Sequence, residues 1–555
     1  MTSLELHDIR AASDTRAAAS AGNKANEETP ASEIESIEYV SGYKLVLLLI
    51  SLSTFFFLVM LDMSIITTAV PQITSDFQRL QDIGWYHGAY QLASATLQPL
   101  TGTVYSRISA KWVFLGFFGV FELGSLLCGV AQSSTMFIVG RAVAGLGSSG
   151  IQNGALTILS SAVPLLKRPV YMGFLIAFGQ ISIILGPLIG GAFTQYVTWR
   201  WCFYINLPLG GLAGLFLAVI HVPDATVKPQ ISLAVLRQVI PRLDLIGFSI
   251  FAPGAIMFLL ALQFGSSEYP WNSPTIIGLF CGAGAAIALF LLWERRQGDD
   301  AMIPFSMVRI RVVWVSAIQY ASLMTSTMLG GQFFPIYFQS VKGVGATMSG
   351  VYMLPSILSG LVFVVLSGVL TTRFGYYLPW AVVAGLCTAI ASGLISTWGP
   401  ETEIAEWIGY QVLFGVRGCG AQAAIIALQS NLPPAQSALG IAFLIFCQNL
   451  FTAVFAVVGN TIFTQTLLKE ISRLAPSVNP AGALAAGGSA EAVRALVPAG
   501  SPELANVLLA FSNSFDAACY VLAAAASLSF VMAWGMGWVD VRKKVPEKGT
   551  EKGDV

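Results

Sequence analysis

The chain predicts an all-α membrane protein of fourteen transmembrane helices, and three observations carry that prediction. Charged residues make up 10% of its 555 residues, against about 25% in a typical soluble domain. Hydrophobic residues reach 55% and the mean hydropathy is +0.72, so a soluble fold would lack the charge to cover its surface. The charges that are present collect in the two tails and in short gaps between long apolar runs, as a multi-spanning protein requires.

Residues 1–44 are polar, acid-rich and free of any apolar period; they read as a disordered cytoplasmic tail. The first apolar run begins at Leu45, too late for a cleaved signal peptide. A span needs about 20 mainly apolar residues to cross a hydrocarbon core about 30 Å thick. Runs that qualify are 45–69, 83–103, 112–131, 135–159, 170–193, 203–222, 245–265, 274–293, 313–337, 347–369, 377–397, 405–428, 437–461 and 514–538. Basic residues give an independent check on the count. With both termini inside, the inner segments hold Lys44, Arg107, Lys111, Lys167, Arg168, Lys228, Arg237, Arg242, Arg295, Arg296, Arg309, Arg311, Arg373, Arg542, Lys543, Lys544 and Lys548. The outer loops hold only Arg79, Arg200, Lys342, Lys469, Arg473 and Arg494. That is the positive-inside bias sustained along the chain, and an odd number of spans would reverse it partway.

Faint internal repetition divides the spans. The string GTVYSRIS (102–109) follows the second span and GVLTTRFG (368–375) the tenth, both placing an arginine five residues after a glycine at an inner helix end. Such repeats are expected when two six-helix halves derive from one unit. The predicted organisation is a tail (1–44), a first six-helix half (45–222), a linker with two inserted helices (223–312), a second half (313–538, with an Ala/Gly/Pro-rich outer loop at 462–513) and a tail (539–555).

An ionisable side chain inside a span costs at least about 2.5–3.5 kcal/mol and persists where it faces a partner or a cavity. Asp62, Glu122, Arg141 and Arg417 are the candidates. Asp62 and Arg141 sit at similar depths from the outer ends of their spans, so they can meet. A carboxylate alternating between an arginine and a proton is a coupling device, because desolvation raises its proton affinity and the arginine lowers it; a static ion pair is the competing reading. Glu122 lies near mid-membrane and is a second proton site, a contact for cationic substrates, or a neutral acid hydrogen-bonded between helices. Arg417 lies among small residues in GVRGCG (415–420). In the fifth span, GQISIILGPLIGG (179–191) places Gly186, Gly190 and Gly191 around Pro187; small residues permit close helix contact and proline removes one backbone hydrogen bond, a combination suited to a hinge or to static packing. Gln91, Gln180, Gln332, Arg417, Gln422 and Asn449 are candidates to line a substrate cavity between the halves.

These strings resemble a known family. LDMSIITTAVP (61–71) resembles the first-span motif of the fourteen-span drug:proton antiporters of the major facilitator superfamily. GRAVAGLG (140–147) resembles the superfamily's fourth-span motif, whose arginine is implicated in proton coupling. GPLIGG (186–191) resembles the fifth-span antiporter motif associated with exporters, and WRWCFYINLPLGG (199–211) resembles a hallmark of the fourteen-span group. The resemblance implies a major facilitator fold with two added helices. It also implies a gating role for the loop after the second span, whose family pattern is G-x-x-x-D-R-x-G-R-[RK]. Here Ser106, Ser109 and Ala110 replace the aspartate, the glycine and one arginine, while Arg107 and Lys111 remain, with Arg373 as counterpart in the second half. The wording around residues 106–125 is similar to the fungal branch, many members of which export mycotoxins, other secondary metabolites or antifungal drugs.

The predicted function is therefore proton-coupled export of small amphipathic organic molecules by alternating access, at the cell membrane, by a monomer that uses the proton gradient and no bound cofactor. A proton-coupled importer of a siderophore or nutrient, or a vacuolar transporter of basic amino acids, is the alternative. Other classes fit poorly. No Gly-Lys dipeptide exists to build a phosphate-binding Walker loop. His7, His87 and His221 lack metal-ligand spacing, and the seven cysteines form no CxxC pair, so neither a metal site nor an enzyme is expected. Formal net charge is zero, which gives no footing for nucleic acid.

Overall fold

A computed structural model describes residues 39–78, 82–224, 228, 243–267, 269–486, 489–498 and 501–544. Most of the N-terminal tail, Arg79, the linker positions Arg237 and Arg242, and Lys548 lie outside the described residues. Fifteen helices of nine residues or more are described: α1 (Gly42–Phe77), α2 (Ile83–Arg107), α3 (Ala110–Gly129), α4 (Ser134–Ala162), α5 (Arg168–Tyr196), α6 (Asn206–Val219), α7 (Leu245–Ser267), α8 (Pro274–Gln297), α9 (Arg311–Ser340), α10 (Leu354–Phe374), α11 (Leu378–Ile395), α12 (Ile404–Gly415), α13 (Ala423–Asn431), α14 (Ser437–Leu474) and α15 (Glu503–Ala533). A 3₁₀ segment, Val416–Gly420, interrupts the path from α12 to α13.

Helix occupies every one of the fourteen apolar runs, but twelve helical stretches, not fourteen, are long and apolar enough to cross a membrane among the described residues. The two that fall short are α2 and α4. Their length is ample, at 25 and 29 residues; their composition is what departs. α4 buries every residue from Gly147 to Ala162 except Gln152. A helix surrounded by other helices gains nothing from being uniformly apolar, so small and polar residues take over its surface. Gly145 of α4 lies against the Tyr90 carbonyl of α2, and Gly147 and Gly150 lie against Phe121 and Phe117 of α3. A side chain at these glycines would force the backbones apart.

Each half has its own core. In the first, Phe55 packs on Phe114 and Phe118, and Phe137 packs on Tyr86, Trp199 and Phe203. In the second, Phe334, Tyr337, Trp398 and Phe515 form an aromatic cluster, with Trp398 and Phe515 stacked 5.7 Å apart. Between α14 and α15 the chain is more ordered than the expected loop at 462–513. α14 runs on to Leu474, α15 starts at Glu503, and the intervening segment buries Val478, Ala483, Val493 and Val497 over the aromatic cluster. Arg494 fixes it by donating to the carbonyls of Ser340 and Val341 at the end of α9.

The two halves touch at the ends that carry the basic loops, hereafter the basic side. α2 meets α14 there, with Gly102 packed against Ala442 and Leu439. α5 meets α10, with Gly173 against the Val364 carbonyl and Gly368 against the Pro169 carbonyl. The glycines let these helices cross without side chains between them.

Candidate functional site: a buried ion pair beside a central cavity

The first-half polar centre is assembled from five helices. α1 supplies Asp62 and α4 supplies Arg141, both essentially without solvent exposure. Arg141 Nη1 donates to Asp62 Oδ2 at 2.5 Å, and Nε donates to the Tyr86 carbonyl of α2 at 2.9 Å. The guanidinium also lies over the Tyr90 ring, 4.5 Å from its centroid. Asn206 of α6 places Nδ2 3.5 Å from Asp62 Oδ1 and donates to Ser125 Oγ at 3.0 Å. The depth estimate therefore brings the right two residues together. Asn206 and the Tyr86 carbonyl were not singled out, although Asn206 stands inside the WRWCFYINLPLGG string. The rest of that string works at the far side, where Trp199 Nε1 donates to Asp76 at 2.7 Å and Arg200 donates to the Ala131 carbonyl at 3.0 Å.

Glu122 packs on Gly210, and both of its carboxyl oxygens are buried with no hydrogen-bond partner among the described residues. Of the readings left open for it, hydrogen bonding between helices finds no partner there. Asp516 of α15 has an oxygen similarly without a partner among the described residues; it lies at the start of the last apolar run and is not one of the sequence candidates.

Of the fifth-span motif, Gly186 and Gly190 lie against α1, at Ser64 and the Ile65 carbonyl. Ser64 Oγ donates to the Ser182 carbonyl at 3.0 Å across the same contact. Gly191 faces open space, and α5 continues through Pro187 to Tyr196. The motif is thus a close α1–α5 crossing next to Asp62, in an uninterrupted helix.

A cavity of about 580 Å³ lies between the halves. Its wall includes Met60 and Met63 of α1, Trp85, His87 and Gln91 of α2, Gln152 of α4, Met328 and Gln332 of α9, and Gln448, Asn449 and Thr452 of α14. Three of the sequence candidates, Gln91, Gln332 and Asn449, line it. The other three do not. Gln422 is turned into α10, donating to Ser367 Oγ and the Val364 carbonyl. Arg417 donates to the Phe414 and Ser356 carbonyls and lies over the Phe414 ring, without a carboxylate partner among the described residues. Gln180, on α5, is half-buried away from the cavity. Among the described residues the lining contains side-chain amides, thioethers and aliphatics, one histidine, and no Asp, Glu, Lys or Arg. Gln152, Gln448 and His87 were missed because composition does not reveal which way a helical residue faces.

At the basic side, Lys111 Nζ donates to the carbonyls of Ala218 and Ile220, closing the end of α6. Asp224 accepts from the Ala110 amide at 2.9 Å and pairs with Lys228, which donates to the Tyr105 carbonyl. Burial holds the Lys228 ammonium below its ordinary proton affinity despite Asp224. Among the described residues Ser106 bonds only within its own helix, to the Thr103 carbonyl, and the segment after α6 supplies the carboxylate that the loop itself lacks. Arg107 is half-buried beside this cluster. Arg373 is exposed, and its carbonyl accepts from Arg542, itself paired with Asp540.

Comparison with known proteins agrees with this architecture. The Major Facilitator Superfamily sequence profile matches residues 52–457. The chain is 54% identical over 538 residues to "MFS-type transporter calB" of Penicillium decumbens, covering 96% of each chain. It is 46% identical over 530 residues to "Efflux pump mokI" of Monascus pilosus, covering 94% of this chain and 96% of that one. Among solved structures, the proton:xylose symporter XylE superposes with a TM-score of 0.58 at 12% identity, over 90% of this chain and 97% of that one, which speaks for the fold alone. The chain belongs to the Major Facilitator Superfamily and is a multi-pass membrane transporter, not an enzyme.

Proposed function

We propose that this transporter exports small, uncharged, amphipathic organic molecules from the cytoplasm across the cell membrane in exchange for protons, as a monomer with no bound cofactor. The observation that carries the reading is the juxtaposition of an amide-rich cavity, with no charged side chain among its described lining residues, and a buried Asp62–Arg141 pair on two of the helices that wall it. Apolar wall supplies affinity, and the amides orient ligand oxygens by donating or accepting. A charged ligand finds no counter-ion among the described lining residues, which disfavours basic amino acids. Names of relatives, such as "Efflux pump mokI", support the outward direction over import.

In this reading α2 and α4 also cross the membrane, giving fourteen spans with the basic side in the cytoplasm. Cysteine placed at position 490 then reacts with an impermeant thiol reagent in intact cells. Reaction only after permeabilisation would exclude fourteen spans.

The lining residues belong to the middle and far-side parts of their helices, while the halves touch at the basic side. The conformation is accordingly outward-facing with the cytoplasmic gate shut. Gly102→Val inserts two methyl groups where even a Cβ would stand 2.7 Å from Ala442 Cβ. Overpacking of this kind costs about 1–3 kcal/mol, all of it in the state where the helices touch. The variant is expected to shift roughly ten-fold or more toward the inward-facing state, since 1.4 kcal/mol is a factor of ten. A single cysteine at 449 reports the shift as slower labelling from outside; unchanged labelling would remove Gly102 from the gate.

Transport itself is tested with cycloheximide, progesterone and griseofulvin, three uncharged, oxygen-bearing probes, in cells with and without the protein. Lower accumulation that an uncoupler abolishes is the expected result. Export of none of the three would overturn the ligand class.

A further inference from the structure

The two inserted helices read from sequence as an addition between complete halves, and α8 has that character, with Ile277, Leu289 and Leu292 exposed along it. α7 does not. It packs against α2 of the first half and α14 of the second, the two helices that cross at Gly102. On its far-side portion Leu259, Leu260, Leu262 and Gln263 line the central cavity together with residues of both halves. Gln263 is held against Gly88 of α2: a Cβ there would stand 3.0 Å from its Oε1 and 3.1 Å from its Nε2. Gly88 thus leaves room for an amide that reaches past α2 into the wall occupied by His87 and Gln91. At its other end α7 is anchored by Asp244, which accepts from Trp293 of α8 and from the Met302 amide. Phe251 of α7 is buried against Phe290 of α8 and Phe446 of α14. α8 is the brace, and α7 is a structural wall.

We propose that α7 is part of the substrate site, and that Gln263 is a specificity-determining residue that hydrogen-bonds an oxygen of the uncharged ligand while Leu259 and Leu262 pack on its apolar frame. The inference rests on the central cavity being the substrate site. It gives the inserted pair a purpose: α7 supplies a third wall beside the two halves, covers the α2–α14 side of the cavity from lipid, and adds an amide that neither six-helix half carries. Because α7 touches both halves, it must slide on one of them whenever they rock, so ligand contact at Gln263 changes through the cycle.

The test uses the full-length chain with its native cysteines replaced by serine or alanine. Single cysteines are placed at 259, 263, 332, 449 and, as a lipid-facing control, 292. A membrane-impermeant sulfonate thiol reagent is added outside, and export of cycloheximide, progesterone and griseofulvin is measured in parallel for Gln263→Leu and Gln332→Leu in the native background. The expected result is labelling at 259, 263, 332 and 449 but not at 292. With it, Gln263→Leu should raise the KM of at least one probe about ten-fold with kcat nearly unchanged, the size of one hydrogen bond lost from bound ligand. Gly88→Leu, which pushes the Gln263 amide aside without removing it, should shift the same probe in the same direction. Labelling of 332 and 449 while 259 and 263 behave like 292 would overturn the inference and leave the central cavity in place. Labelling of 259 and 263 with an unaltered probe profile in Gln263→Leu, against an altered one in Gln332→Leu, would overturn the specificity role. Failure at 332 and 449 as well would overturn the cavity reading and this inference with it.

Discussion

Asp62→Asn is expected to keep the downhill movement of substrate and to lose uphill export driven by a proton gradient. Asparagine retains the size of the side chain and can still accept from Arg141 and Asn206, but it cannot carry a proton. In the proposed cycle the proton enters from outside and neutralises Asp62, which loosens its hold on Arg141 and weakens the α1–α4 contact. The halves then rock, and the proton leaves to the cytoplasm while substrate loads. A static ion pair predicts otherwise. Removing one charge of a buried pair costs about 3–5 kcal/mol, so the variant would mainly be less abundant, with normal coupling per folded molecule. Transport normalised to protein content separates the two. Asp62→Glu keeps a titratable group and is expected to retain partial coupling. Normal uphill export per molecule by Asp62→Asn would move the proton site to Glu122, whose buried carboxyl lacks a hydrogen-bond partner among the described residues.

Arg141→Ala is expected to have a still larger effect. Arg141 joins three helices at once, through Asp62 on α1, the Tyr86 carbonyl on α2 and its own α4. Its loss leaves a buried carboxylate unpaired at a cost of about 3–5 kcal/mol and abolishes coupled export. Arg141→Lys should fail as well, because an ammonium on a flexible stem cannot hold a carboxylate and a carbonyl in two fixed directions. The combination Asp62→Asn with Arg141→Met removes both charges. It should recover much of the folded protein that either single change loses, without recovering coupling. Coupled export by Arg141→Ala would exclude the pair from the mechanism.

Much of the fold was legible in the sequence because lipid imposes long apolar runs and basic inner loops. Each expected run coincides with helix. What the runs do not show is where a helix stops: α1 extends past residue 69 to Phe77 and α14 past 461 to Leu474, since outside the hydrocarbon polar residues continue a helix as readily as apolar ones. α4 is not among the twelve stretches apolar enough to cross a membrane, because its buried faces carry serines and glycines in place of an unbroken apolar run. For the site, pairing by depth placed Asp62 with Arg141 because insertion is so costly for a charge that an opposite charge at the same depth is its natural partner. Neutral amides follow no such rule. Gln91 and Gln422 look alike in sequence, yet one lines the cavity and the other bonds Ser367. That choice is made by contacts between helices distant in sequence. The packing of α7 against α2 and α14 was likewise not legible.

The central claim is that export is an exchange of substrate for protons, and one measurement tests it directly. The purified protein is reconstituted into vesicles containing a pH-sensitive dye, with no imposed pH gradient, and a gradient of cycloheximide, progesterone or griseofulvin is then applied. Proton movement opposite to the substrate, dependent on the protein and absent in Asp62→Asn, is the predicted result. Substrate flux without proton movement in the wild type, or proton movement in the same direction as substrate, would contradict the account.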